Sequence, residues 1–110
     1  MNSVAHIEIN VSDLQKSKNF YSICLSQLNW RIILDKEKEV GFKGPDGTHL
    51  FLVQTEEPFT TNTFHRKQTG LNHIAFRVQS KKEIEEFNNF LKKENIPILY
   101  STLPIRLALH

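Results

Sequence analysis

Residues 6–11 read HIEINV and residues 73–78 read HIAFRV, so a stretch that begins with histidine occurs twice at an offset of 67 residues. In both stretches apolar side chains alternate with others, the pattern of a strand with one buried face. An amphipathic helix pattern follows each of them and places Phe20 and Phe87 at equivalent positions. The chain therefore contains a duplicated unit, and two such units can build a shared cavity.

The first copy predicts the element order β-α-β-β-β. Ser12 and Gln15 have the spacing of a capping box, which predicts the start of the helix. The turn sequence Gly44-Pro45-Asp46-Gly47 predicts a reversal of the chain into the last strand. The predicted strands are residues 4–11, 30–34, 39–43 and 48–54.

The second copy repeats this order but ends early. Strands are predicted over residues 71–78 and 96–100, with a capping box at Ser80 and Glu83 and a helix that Asn95 ends. The same offset places the final strand near residues 115–121, beyond His110. We therefore expect one α+β domain with module one at 1–54, a connector at 55–70 and an incomplete module two at 71–110.

Composition limits the classes of function. Fourteen basic and twelve acidic residues leave a formal charge of +2, and lysines alternate with glutamates, which is typical of a solvated face and not of a nucleic-acid stripe. The single cysteine, Cys24, excludes an internal disulfide and is expected in the core. We see neither a membrane-spanning run nor a signal peptide, so we expect a cytoplasmic protein.

Three stretches together resemble a known superfamily. They are HIEINVSDLQKSKNFYS, the turn GPDG before the strand HLFLVQT, and GLNHIAFRV. They resemble the glyoxalase, bleomycin-resistance and extradiol-dioxygenase proteins, the vicinal oxygen chelate superfamily. The resemblance implies two β-α-β-β-β modules whose curled mixed sheets form a cup, which holds a divalent ion in metal-dependent members.

The resemblance also implies metal ligands. The family's first-strand ligands match His6 and His73, whereas the position of a frequent glutamate ligand matches Phe51. Two imidazoles suit zinc, iron, manganese or nickel, but a stable site generally has a third protein ligand. His49, two residues before Phe51, could supply a third nitrogen or could be a partly exposed edge residue. We therefore expect metal binding to be weak or absent.

Other side chains are candidates for contact with a substrate. Glu8 shares the predicted face of His6 and could act as a general base, or it could line a wet cavity. Arg77 shares the face of His73 and could hold an anionic substrate, or it could form a salt bridge to Glu8. Trp30 and Phe51 are candidates for the apolar lining of the cup.

Two functions are consistent with these residues. The first, which His6 together with His73 favours, is a metal-dependent lyase, isomerase, thiol transferase or dioxygenase that acts on a small molecule with vicinal oxygens. The second is a protein of the bleomycin-resistance type that binds a small molecule without metal, which the replacement at Phe51 favours. An unpaired strand edge in an incomplete second sheet also predicts a homodimer.

Overall fold

The computed structural model describes residues 3–61 and 64–98. The chain separates into two compact units, Met1–His73 and Ile74–His110. Among the described residues, no helix has both the length and the apolar character needed to cross a membrane. The elements in chain order are β1 (His6–Val11), α1 (Leu14–Ser26), β2 (Arg31–Asp35), β3 (Glu39–Lys43), β4 (His49–Gln54), a short 3-10 helix (Glu57–Phe59) and α2 (Lys81–Lys93).

The four strands of the first unit form one mixed sheet in the order β1-β4-β3-β2. β1 runs parallel to β4, and the other two pairs are antiparallel. The α+β class and the mixed sheet predicted from the sequence are confirmed. The predicted bounds of β3 are those observed, and the other three strands begin or end within two residues of the prediction.

One face of this sheet is covered by α1, which contacts β2, β3 and β4. The buried side chains of the unit come from the helix and from alternate strand positions, as period-2 strands require. Burial of each large aliphatic side chain stabilises the fold by roughly 1.5–3 kcal/mol. The core contains Val11, Leu14, Tyr21, Cys24, Leu25, Val40, Phe42, Leu50 and Leu52.

The start of α1 differs by one residue from the prediction. Asp13 is the N-cap, and its side chain accepts a hydrogen bond from the Lys16 N–H at 3.1 Å. The predicted cap, Ser12, contributes its backbone carbonyl instead, which accepts from Gln54 Nε2 at 2.8 Å. Gln54 Oε1 also accepts from the Leu14 N–H at 2.9 Å. A strand residue 40 positions away thus satisfies a free N–H group at the start of the helix.

The turn between β3 and β4 forms as its sequence predicts. Gly47 adopts a φ of 91°, which glycine adopts without steric cost, and its N–H donates to the Gly44 carbonyl at 3.0 Å. Asp46 accepts from the Thr48 N–H at 3.0 Å, the local hydrogen bond that makes aspartate favourable in turns. The turn sets the register in which β3 and β4 pair.

The second unit contains α2, which begins and ends as the sequence predicts. The Ser80 hydroxyl accepts from the Glu83 N–H at 3.2 Å, and the Glu83 carboxylate accepts from the Gln79 N–H. At the other end Asn95 has a φ of 57°, a left-handed conformation that ends helices. These contacts confirm Ser80 as the cap and the predicted end of the helix, whereas the Glu83 carboxylate binds the N–H of the residue before the cap and not that of Ser80, as a capping box requires.

The predicted strand over residues 71–78 is not a strand in the structure. Ile74, Phe76 and Val78 are less exposed than their neighbours, so the predicted alternation of burial is present from residue 74 to residue 78. A strand also needs a hydrogen-bonded neighbour. In module one β4 is that neighbour for β1, whereas residues 71–78 have no such neighbour among the described strands. The predicted strand over 96–100 lies partly outside the described residues.

Candidate functional site

The sheet of the first unit has a second face, opposite α1, which we call the open face. Residues directly opposite each other on paired strands share a face. His6 is paired with His49, and Phe51 is flanked by Glu8 on β1 and by Gly41 on β3. The structure therefore brings together four of the side chains that the sequence singled out: His6, Glu8, His49 and Phe51.

The ring of Phe51 lies across the backbone of β3. A Cβ atom placed on Gly41 would lie 2.8 Å from Cε1 and 2.9 Å from Cδ1 of Phe51. Real Cβ atoms essentially never approach this closely. Gly41 thus provides the space in which the ring of Phe51 lies, and Phe51 forms the floor of the open face.

Two imidazole rings contact this floor. The ring centroid of His6 lies 5.8 Å from that of Phe51, with the planes at 81°, an edge-to-face contact. The ring of His49 lies 5.9 Å away with the planes at 8°, a stacked contact. Both arrangements are favourable for aromatic pairs, which contribute roughly 0.5–1.5 kcal/mol beyond the area that they bury. The three rings form one cluster, which we call the ring cluster.

The other candidate residues have different surroundings. His73 is exposed, and its Nδ1 lies 2.9 Å from Oδ1 of the neighbouring Asn72. Arg77 is exposed in the second unit. Trp30 lies against Gly44, where an added Cβ atom would meet its indole at 2.7 Å. Strand alternation directs this position away from the open face, toward the side that α1 covers.

The described residues do not complete the metal centre that the resemblance implies. His6 and His49 are opposite each other, and the ring in contact with both is that of Phe51, which has no ligand atom. Glu8, opposite Phe51, carries a carboxylate on the same face. Within residues 3–61 and 64–98, no group of three or more His, Cys, Asp or Glu side chains is placed to hold an ion. Two imidazoles alone are fewer ligands than protein metal sites generally use.

Burial changes the pKa of two groups on the covered side of the sheet. It raises the pKa of the Cys24 thiol to about 11. Burial, with a smaller contribution from Cys24, also raises the pKa of Tyr21. A thiol with so high a pKa is protonated and unreactive at neutral pH. Cys24 is therefore a core residue, as predicted, and not a nucleophile of the site.

Gly41 is the residue of the site that sequence reasoning missed. It stands inside a predicted strand, where glycine often marks a close approach of another group. The turn at residues 44–47 fixes the pairing of β3 with β4, and counting back from it places Gly41 opposite Phe51. This count along the two strands is the sequence signal that could have identified Gly41.

Comparison with known proteins decides the family. The sequence profile of the Glyoxalase/Bleomycin resistance protein/Dioxygenase superfamily matches residues 3–102. The chain belongs to this superfamily. The resemblance seen in the motifs is thereby confirmed, and the four-stranded mixed sheet is the fold shared with glyoxalase-like structures.

Individual members of the superfamily are similar over most of the chain. The uncharacterized protein YqjT of Bacillus subtilis (strain 168) is 34% identical over 95 residues, which cover 86% of this chain and 73% of that protein. A crystal structure of a candidate glyoxalase from Bacillus halodurans has a TM-score of 0.81 at 40% identity, and the match covers 89% and 73% of the two chains.

A more distant structure shares the fold. The fosfomycin resistance protein FosX from Listeria monocytogenes, complexed with Mn(II) and sulfate, has a TM-score of 0.60 at 21% identity. The match covers 96% of this chain and 74% of FosX. At this level of identity the likeness concerns the fold of the superfamily and not the residues of the site.

Proposed function

We propose that this glyoxalase-superfamily protein binds a small organic molecule on the open face, without a metal ion, as proteins of the bleomycin-resistance type do. The observation that carries the proposal is the ring of Phe51 lying over Gly41 with His6 and His49 in contact with it. By the resemblance, Phe51 matches the position at which many metal-dependent members have a glutamate ligand. A phenyl ring at position 51 can make apolar contact with a ligand but cannot coordinate a metal ion.

The ring cluster is suited to such contact. Phe51 is half-buried, so part of its surface is available to a ligand while the rest is held by neighbours. Removal of apolar surface from water contributes about 25 cal/mol per Å², and a ring already fixed by its contacts loses little entropy when a ligand binds. A flat apolar ligand would gain most from this surface.

The proposal is tested with a panel of small aromatic and aliphatic compounds, whose binding is followed by chemical-shift changes in the full chain. Compounds that bind should shift the signals of residues in β1, β3 and β4. Phe51→Ala should abolish these shifts. Phe59→Ala is the matched control, because Phe59 is 62% exposed in the short 3-10 helix. Shifts that survive Phe51→Ala, or that fall equally in both variants, would contradict the proposal.

A metal-dependent enzyme of the superfamily, a lyase, isomerase, thiol transferase or dioxygenase, is the second candidate. The direct pairing of His6 with His49 favours it, because two imidazoles share one face. FosX, which shares the fold, is complexed with Mn(II). This candidate requires a third ligand from outside the described residues or from another chain.

Metal content separates the two candidates. The purified chain is analysed for zinc, iron, manganese and nickel beside a His6→Ala and His73→Ala double variant. His65→Ala is the control, since His65 is exposed and its Nδ1 accepts from the Lys67 N–H at 3.1 Å. Stoichiometric metal that only the double variant loses would establish the second candidate. The same background amount of metal in the original chain, the double variant and His65→Ala would exclude the metal-dependent candidate.

A further inference from the structure

A row of basic side chains crosses the open face. The strand register pairs His6 with His49, His49 with Lys43, and Lys43 with Arg31. Because directly opposite residues share a face, these four side chains stand side by side across all four strands. We call them the basic row. It borders the ring cluster, to which its two histidines also belong.

Within the described residues no ion pair neutralises the basic row, although Glu8 and Glu39 stand on the same open face. In the described parts of the chain, the ion pairs are Lys18 with Asp35 and Lys82 with Glu86, and neither includes a member of the row. Lys43 stands opposite Arg31, and like charges directly opposite each other destabilise a sheet. An anion bound between these side chains would offset that repulsion.

The neighbouring row of the open face is apolar at its centre. It holds Phe51 over Gly41, and Leu34 is paired with Gly41 on the far side. Residues two positions apart on a strand lie about 6.5–7 Å from each other. The long side chains of Lys43 and Arg31 can reach over this distance. A single small molecule can therefore contact Phe51 with a ring and the basic row with a charged group.

We infer that the open face selects aromatic carboxylates. The ring of the ligand packs on Phe51, and its carboxylate accepts hydrogen bonds from Lys43 and Arg31, with His6 and His49 at the end of the row. Charge-assisted hydrogen bonds to a carboxylate are roughly twice as strong as those between neutral groups. This inference rests on the proposed function, which requires a ligand on Phe51 but does not specify its charge.

The test uses two probes of the same shape, 2-naphthoate and the neutral 2-naphthamide, titrated calorimetrically into the full chain at low and moderate salt. We expect naphthoate to bind about tenfold more tightly than naphthamide at low salt, and less so at moderate salt, because exposed charges are screened. The double variant Arg31→Gln with Lys43→Gln should remove this preference and leave naphthamide binding within about twofold of its original affinity.

Two further variants keep the test interpretable. Lys16→Gln removes one charge from an exposed position on α1, on the opposite side of the sheet, and should leave the preference for naphthoate unchanged. Arg31→Lys with Lys43→Arg keeps both charges and should retain it, which separates charge recognition from damage to the fold.

The outcomes distinguish the two proposals. Equal binding of naphthoate and naphthamide, with both lost in Phe51→Ala, would overturn the inference and leave the proposed function standing. A preference for naphthoate that persists in the Gln double variant would also overturn the inference. If neither probe binds, and no compound of the panel shifts signals in β1, β3 and β4, both proposals are wrong.

Discussion

The ring of Phe51 occupies the space that any side chain larger than hydrogen would need at Gly41. The two residues are directly opposite each other on β4 and β3, and a Cβ atom at position 41 would lie 2.8 Å from the ring. The glycine therefore determines where the ring lies, and the ring forms the floor of the open face. The two residues should be coupled energetically.

Gly41→Ala tests this coupling. The added methyl group forces the ring of Phe51 away, and overpacking of this kind typically costs about 1–3 kcal/mol in the free energy of unfolding. In a Phe51→Ala background the same change should cost less, because the clash with the ring is absent and only the tight approach to Leu34 Cβ, at 3.2 Å, remains. Urea unfolding of the four proteins measures the difference. In a Phe59→Ala background Gly41→Ala should cost as much as in the original chain. Equal costs in all backgrounds would show that the two residues are independent.

Gln54→Ala should destabilise the first unit by about 1–2 kcal/mol, since it removes the acceptor of the Leu14 N–H at the start of α1. Gln54→Glu keeps that acceptor near the helix N-terminus, but it loses the Nε2 donor and brings a carboxylate oxygen close to the Ser12 carbonyl, so it should also destabilise the unit. Gln15→Ala is the control: among the described residues the hydrogen bond of its amide goes to the exposed Asn19, and its loss should stay within about 0.5 kcal/mol. Thermal unfolding of the three variants gives the ranking, and a loss in Gln15→Ala as large as in Gln54→Ala would refute this role.

The pKa of Cys24 predicts a loss of stability at alkaline pH. Burial raises this pKa from 9.0 to about 11, so between these values the unfolded chain releases a proton that the folded chain keeps. The free energy of unfolding should therefore fall as pH rises through this window. Tyr21, whose pKa is also raised, acts in the same direction.

Cys24→Ala isolates the contribution of the thiol. The variant creates a cavity, so its absolute stability is lower, but its free energy of unfolding should fall less steeply between pH 9 and pH 11. Denaturant unfolding at several pH values measures both slopes. Because Cys24 also raises the pKa of Tyr21, the variant removes that smaller contribution as well, and both changes make the fall less steep. Parallel curves would show that the thiol does not contribute.

Ser22→Ala should be neutral or should stabilise the protein by up to about 1 kcal/mol. The Oγ atom of Ser22 is buried and has no hydrogen-bond partner among the described residues, which is an unfavourable state for a hydroxyl. Alanine is also the better helix former. Ser26→Ala in the same helix removes a hydrogen bond to the Ile23 carbonyl and serves as the comparison. Clear destabilisation by Ser22→Ala in calorimetric melting would point to a partner that Oγ has in solution.

The homodimer expected from the sequence is a prediction that light scattering can check. β1 lies at an edge of the sheet formed by the described strands, and a free edge can pair with another chain. We expect a mass near twice 12.8 kDa at micromolar concentrations. A monomeric mass across this range would exclude the dimer.

Local pattern was enough to predict most of the first unit. Alternation predicted β1, a hairpin pattern predicted β2 and β3, and the Gly44-Pro45-Asp46-Gly47 turn predicted β4 and its tight link to β3. The helix start was misplaced by one residue, because Ser12 and Asp13 can both act as caps. The choice depends on Gln54, which is distant in sequence and binds the Ser12 carbonyl and the Leu14 N–H.

The alternation of apolar residues did not predict the structure of residues 71–78 correctly. The alternation of burial at Ile74, Phe76 and Val78 agrees with the predicted strand, but the described chain has no strand at this place. Alternation reports which side chains avoid water, whereas a strand also requires a hydrogen-bonded neighbour. That second condition cannot be read from a local stretch of sequence.

The sequence by itself determined the family, the order of the elements in module one and the face on which His6, Glu8, His49 and Phe51 lie, because these follow from local periodicity and motif order. Only the tertiary structure decided that Phe51 lies over Gly41. It also decided that Lys43 and Arg31 lie beside the two histidines in the basic row. Contacts across strands depend on register, and register is set jointly by the turns and by the packing of the core.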